Sequence, residues 1–297
     1  PVGPGQIARV THADAAEAGV TKYVLRLIEE GADVDASDDK GTTALIIAAS
    51  QGYVEVADIL LNKGTSINAR NDRGISALAV AASRGHADVI TLLLHRGAEI
   101  DRTNNKGQTA LLLAVAEARM EVASVLLEGG ANVNTKDNTG QTALMIAAAT
   151  GQPAVIRSLI AKGANLNEKD HSGQTPLMAA ASRGDRGIVQ LLIASKANVN
   201  ATGNESATAS VGQSSISVGG LTALMLAAAK GSESIVALFL ESGSTVNATA
   251  LDGRTALMFA ASNGYATIVQ NLLEAGASIN TEDIFGVTAV MHAASMG

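Results

Sequence analysis

Apolar positions along this chain come in paired bursts. The first burst of each pair is dense in alanine and leucine, as in ALMIAAAT at 143–150. The second places Val, Ile and Leu at helical spacing, as in VIRSLIAKG and IVALFLESG. Apolar residues three and four apart mark one face of a helix, so each pair predicts two short helices. Val189, Leu191 and Leu192 are expected on one such buried face. Alanine pairs such as Ala48 with Ala49, or Ala260 with Ala261, leave room for neighbouring helices to approach closely.

Glycine punctuates the bursts on a fixed schedule. It falls at 41, 74, 107, 140 and 173, then at 220, 253 and 286, with steps of 33 residues except one of 47. Fourteen residues are therefore extra between Gly173 and Gly220. Just after these glycines come TAL, SAL, TAL, TAL, TPL, TAL, TAL and TAV. Thr or Ser before an apolar run can cap a helix by accepting from a free N–H; Thr109, Thr142, Thr175 and Thr255 stand there. Further glycines at 31, 64, 97, 130, 163, 243 and 276 follow the second burst and suit a left-handed C-terminal cap.

Segments such as GQTALMIAAATGQPAVIRSLIAKGANLNEKD resemble the ankyrin repeat, and the resemblance covers nearly the whole chain. It implies an all-α fold, an ankyrin-repeat solenoid in which each repeat is a helix–turn–helix with a short β-turn. One unit cannot bury its own apolar face; stacking buries it, so stability is a sum over neighbour interfaces. Residues 1–297 are expected to form a single domain of about eight repeats and a truncated ninth. The first repeat, 5–37, is degenerate, with Ala8 in place of the turn glycine; full repeats start at 38, 71, 104, 137 and 170. The seventh ends near 249, the eighth spans 250–282, and the ninth begins at 283. Its Ile284, Phe285, Val287 and Met291 give no polar outer face, so the natural protein is expected to continue beyond 297.

Three departures stand out. The family's histidine, fourth in its T-P-L-H box, is replaced by Ile46, Ala79, Leu112, Met145, Met178, Met225, Met258 and Met291, which are expected to fill core gaps. Ala118 and Lys196 replace glycines at left-handed positions, at a cost of roughly 1 kcal/mol each, so local rearrangement is expected there. The third is an inserted turn-tip loop, 201–219. Its Ser- and Gly-rich composition favours loose order, and the alternation in SVGQSSISVGG allows a short hairpin with Val211, Ile216 and Val218 packed together.

Composition narrows the function. Aromatics are 2% of the chain and cysteine is absent, which removes thiolate chemistry and disulfides. The five His, at 12, 86, 95, 171 and 292, occupy different repeat positions and give no metal-ligand pair. No phosphate loop or nucleophile elbow is present. The expected protein is non-enzymatic, without cofactor, metal or small-molecule substrate. Net charge −7 and few aromatics oppose nucleic-acid binding. No apolar run is long enough to span a membrane, and PVGPG at the start is no secretory leader; it also lacks the initiator Met, as in a trimmed chain. The expected location is intracellular, in the cytoplasm or the nucleus. The sequons at Asn200, Asn204 and Asn247 are read as incidental.

Ankyrin arrays in general bind proteins through a concave face of turn tips and first helices. Carried over by position, that face includes Arg70, Arg73, Ile75, Arg84, Lys106, Gln108, Lys136, Gln141, Lys169, His171, Gln174, Arg183, Leu221, Lys230, Leu251 and Arg254. With Lys40 it carries ten bases against the acids Asp39, Asp72, Glu117, Asp252 and Glu282. A mildly basic face on an acidic protein would steer an acidic protein segment to it. Ile75, Leu221, Leu251, Phe285 and Val287 are the expected apolar anchors. The expected function is a protein–protein scaffold or adaptor. The alternative is a targeting domain of a larger enzyme, channel or signalling protein that continues past 297.

Overall fold

The computed structural model describes residues 17–204, 208–211, 214–217 and 219–295. Ala8 and the start of the expected first repeat lie outside them. So do Val218 and the side chains of Val211 and Ile216. Sixteen helices are present among the described residues, all short. The chain divides into two compact units, 1–138 and 139–297.

Unit 1 holds α1 (Glu17–Glu29), α2 (Ala44–Gln51), α3 (Val54–Asn62), α4 (Ala77–Arg84), α5 (Ala87–His95), α6 (Ala110–Ala116) and α7 (Met120–Glu128). The even-numbered helices are the alanine-rich bursts. Thr43, Ser76 and Thr109 cap them, each side-chain oxygen accepting from the N–H three residues on. First helices pack on first helices, α2 on α4 and α4 on α6. Second helices pack on second helices, α1 on α3, α3 on α5 and α5 on α7. The alanines make this close: Ala48, Ala49, Ala81 and Ala82 are fully buried. Each second helix buries residues i, i+1 and i+4, such as Val89, Ile90 and Leu93.

Unit 2 repeats the plan. Its first helices are α8 (Ala143–Thr150), α10 (Pro176–Arg183), α12 (Ala223–Lys230), α14 (Ala256–Ser262) and α16 (Ala289–Ala294). Its second helices are α9 (Pro153–Ala161), α11 (Arg186–Ala194), α13 (Glu233–Glu241) and α15 (Ala266–Glu274). In α11 the buried face is Ile188, Val189 and Leu192, so the expected Leu191 sits at its margin, half-buried. Phe239 and Phe259 are the largest fully buried side chains.

Turn tips within each unit are joined by a backbone ladder. In unit 1, Asp72 N–H donates to Lys40 O (3.0 Å), Asn105 to Arg73 O (3.1 Å) and Asn138 to Lys106 O (2.9 Å). In unit 2, His171 donates to Thr139 O (3.0 Å) and Asn204 to Ser172 O (3.1 Å). An ordinary tip donates from one residue and accepts on the next. The seventh tip splits these roles: Asn204 donates backward, while Gly219 O accepts from Leu251 N–H at 2.9 Å. The extra residues are thus 205–218. At their base, Gly203 N–H donates to Leu221 O (2.9 Å), and Thr202 bridges Thr222 as Arg70 bridges Ser76. Inside them β1 (Thr208–Val211) and β2 (Ser214–Ser217) pair antiparallel, Thr208 opposite Ser217 and Val211 opposite Ser214.

Two expectations about local structure are corrected. Ala118 and Lys196 do not rearrange their repeats; both adopt the left-handed conformation, with φ of 52° and 76°. Helix-end bonds hold them there, with Arg119 N–H donating to Ala114 O (2.8 Å) and Ala197 N–H to Leu192 O (3.0 Å). The box residues Ile46, Ala79, Leu112, Met145, Met178, Met225 and Met258 do fill the core, but Met291 is 56% exposed. In unit 2, α16 packs on α14 but has no second helix of its own among the described residues.

Candidate functional site

Two adjoining grooves open on the turn-tip side of unit 1. One, of about 540 Å³, is lined by Lys40, Thr42, Ile46, Ile47, Ser50, Asn71, Asp72, Arg73, Ile75, Val80 and Arg84. The other, of about 490 Å³, is lined by Asp72, Arg73, Ile75, Ala79, Val80, Ser83, Asn104, Asn105, Lys106, Gln108 and Leu113. They share Asp72, Arg73, Ile75 and Val80. The floor is apolar, with Ile75, Val80 and Leu113 half-buried, and the rim is charged.

The rim is positioned by its own sequence. Two residues before each tip cation stands Asp or Asn, whose side-chain oxygen turns the chain. Asp38 Oδ1 accepts from Lys40 N–H (2.9 Å) and Thr42 N–H (2.8 Å). Asn71 Oδ1 accepts from Arg73 (3.0 Å) and Ile75 (2.9 Å). Asn104 Oδ1 accepts from Lys106 (2.9 Å) and Gln108 (3.0 Å). These turns, with the ladder, fix the backbone under Lys40, Arg73 and Lys106 before any partner arrives.

Charge on the rim is uncompensated. Among the described residues Lys40, Arg73, Arg84 and Lys106 make no ion pair, and Asp72 is the one carboxylate lining the grooves. Three arginines elsewhere in unit 1 are engaged, while Lys22 and Lys63 are exposed on the second helices and their ends. Arg96 pairs with Asp58, Arg102 with Glu99 at 2.7 Å and Arg26 with Glu30 at 2.9 Å. The second helices add Glu55, Asp88, Glu121 and Glu128.

Of the expected site residues in unit 1, the grooves gather Arg73, Ile75, Arg84, Lys106 and Gln108. Arg70 is exposed and donates from Nη1 to Thr103 O at 3.1 Å. Lys136 is exposed and lines neither groove. Val80 and Leu113 were missed by the sequence reading. Both sit four residues after the capping Ser or Thr, which was signal enough to find them.

Unit 2 presents its expected residues differently. Lys169, His171 and Lys230 are exposed, and Gln141 and Gln174 are half-buried. Arg183 donates from Nη1 to Ala149 O (3.1 Å), with Asp185 Oδ2 4.0 Å from its Nε. Arg254 pairs with Asp252 at 2.5 Å, and its guanidinium carbon lies 4.5 Å from the Phe259 ring centroid. Leu251 is 55% exposed. Leu221 is corrected as an anchor: it is 3% exposed. Its neighbours in the lining, Leu226 and Ala229, are buried as well, and strand β1 packs against α12. Phe285 is 81% exposed and Val287 half-buried. A third cavity, about 470 Å³ and almost wholly apolar, lies among α14, α15 and α16 with Leu257, Val269, Leu273, Ile279 and Val290 in its wall.

Two carboxylates are held below their usual range. Burial opposes ionisation of Asp35, but hydrogen bonds from Thr65 Oγ1 (2.5 Å), Ser66 N–H (2.8 Å) and Ser66 Oγ (3.0 Å) outweigh it. Burial likewise opposes ionisation of Asp283, and the N–H groups of Val287 and Phe285 (both 2.9 Å) and His292 Nε2 (3.0 Å) outweigh it. The sequon asparagines are structural: Nδ2 of Asn200, Asn204 and Asn247 donates to Gly243 O, His171 O and Gly276 O.

No helix among the described residues is long and apolar enough to cross a membrane. A comparison with curated proteins gives no match. A family model described as ankyrin repeats (3 copies) matches residues 11–71, 66–137, 130–203, 160–250 and 209–283.

Proposed function

Since the chain belongs to the ankyrin repeat family, whose repeats generally bind proteins, we propose that it is a non-catalytic protein-binding scaffold that takes an acidic segment of its partner in the paired grooves of unit 1. The observation that carries this reading is the set of four cations without a carboxylate partner around an apolar floor. A cation already paired has little to offer a ligand. An unpaired one gives up only water when a carboxylate arrives. The half-buried Ile75, Val80 and Leu113 offer contact area for apolar side chains between the charges. The preset turns mean that little backbone freedom is lost on binding.

The test is fluorescence anisotropy with a labelled peptide of alternating Glu and Thr, beside its Gln–Thr counterpart. The Glu peptide is expected to bind and to weaken as salt rises from 50 to 200 mM, on the order of tenfold. Replacing Arg73, Arg84 and Lys106 together by Glu removes the binding, with circular dichroism unchanged. Unaltered binding by that triple variant would sink the proposal.

A further inference from the structure

The cations of unit 1 stand in register. Lys40, Arg73 and Lys106 occupy the same position in three successive repeats, each two residues after its turn-making Asp38, Asn71 or Asn104. The ladder bonds from Asp72 to Lys40 O and from Asn105 to Arg73 O stack their tips. Neighbouring helices pack at about 8–10 Å, so tips stacked on them repeat at about that interval.

A ligand that meets all three cations must present carboxylates on one face at the same interval. Three backbone forms can be compared. An α-helix rises 1.5 Å per residue and needs about seven residues per interval. To reach all three cations it must run about fifteen residues, a length at which an isolated helix is only marginally stable in water, so ordering it offsets part of what the ion pairs contribute. A β-strand covers 10 Å in three residues, but residues i and i+3 point to opposite faces. A polyproline II helix has three residues per turn and rises about 3.1 Å per residue. Residues i, i+3 and i+6 then share one face at about 9.3 Å intervals.

We infer that the partner segment bound by unit 1 is an acidic polyproline II helix with a carboxylate at every third residue, one for each of Lys40, Arg73 and Lys106. This rests on the proposed acidic-segment reading of the same grooves and specifies its ligand. The residues between the carboxylates lie over Ile75 and Val80, which line both grooves.

The test uses three labelled nine-residue peptides. One repeats Glu-Pro-Thr three times; one has the same composition with its glutamates contiguous; one has Gln for every Glu. The spaced peptide is expected to bind about tenfold tighter than the contiguous one, because alignment adds two exposed ion pairs. A charge swap fixes the register: Arg73→Glu weakens the spaced peptide and binds better a version whose central Glu is Lys. Equal affinity of spaced and contiguous peptides, or no rescue by the central Lys, overturns the periodic ligand and leaves the acidic groove standing. Equal affinity of the Glu and Gln peptides overturns both.

Discussion

In the third repeat of unit 1 the side chain two places after the turn-making asparagine is Arg73, in water and unpaired; in the eighth repeat of unit 2 the basic residue at the tip, Arg254, lies against Phe259 and pairs with Asp252. The lining differs in the same sense. Ile75, Val80 and Ser83 are half-buried in the third repeat. Their counterparts in the seventh, Leu221, Leu226 and Ala229, are 3%, 8% and 5% exposed. Both regions use the same caps, the same ladder and the same helix pairs. On the proposed reading, capacity to bind lies in what occupies a few tip and lining positions, and the repeat itself is neutral about it.

The comparison is most exposed to failure at its core-like end. Leu226→Ala is expected to cost about 2–3 kcal/mol, and Val80→Ala about 1 kcal/mol, because only the first leaves a cavity fully enclosed by protein. Urea melts of both variants measure this, and equal losses would break the contrast. Next comes the inserted segment. Deleting 205–218 and joining Asn204 to Gly219 keeps the ladder but removes β1 from α12. The chain has no cysteine, so Leu226→Cys serves as a reporter. Its maleimide labelling is expected to speed up roughly tenfold on deletion, as local protection is lost, whereas Val80→Cys labels at one rate with or without the segment.

A smaller effect sharpens what the units share. Ala118 lies in unit 1 and Lys196 in unit 2, both left-handed. Changing either to Gly is expected to raise stability by about 1 kcal/mol, seen as a shift in the denaturation midpoint. A gain at one site alone would mean that the two backbones are less alike than their bonds suggest. The smallest effect is on acid sensitivity. Asp35 in unit 1 and Asp283 in unit 2 have folded pKa values below the ordinary carboxylate value. Each contributes stability that is present above the unfolded value, near 3.9, and is lost as pH falls through the lower folded value. Asp283→Asn is expected to flatten that acid-side loss in unit 2, read from thermal melts between pH 5 and pH 2, and to leave the contribution of Asp35 in place.

Much of the fold was legible because its determinants are local and repeated. Glycine spacing, the Thr or Ser caps and the alanine-rich bursts each report a backbone state with no need of distant neighbours. The outcome at Ala118 and Lys196 was less legible, because helix-end bonds within an intact stack override the single-residue preference for glycine. The tip cations were legible one at a time, since Asp38, Asn71 and Asn104 precede Lys40, Arg73 and Lys106 by a fixed step. Their lack of acidic partners was not, because Arg254 carries the same charge in the sequence and is paired in the fold. Leu221 failed as an anchor for a similar reason: its burial depends on a packed environment that position in the repeat does not encode. Leu191 slipped from core to margin because a nine-residue helix buries a narrower stripe than its apolar content suggests.

The split of ladder duties between Asn204 and Gly219 has an engineering consequence. In the tips of Asp72 and Arg73, Asn105 and Lys106, His171 and Ser172, and Leu251 and Asp252, the donor and the acceptor are consecutive residues, so length there is fixed by stacking. In the seventh the two jobs are held at the ends of the inserted stretch, by Asn204 and Gly219. Length and sequence at this one place are uncoupled from repeat order. A foreign epitope or recognition loop grafted between Asn204 and Gly219 would be displayed from the seventh repeat without disturbing its neighbours, at a closure cost of only about 0.6 kcal/mol for each doubling of its length.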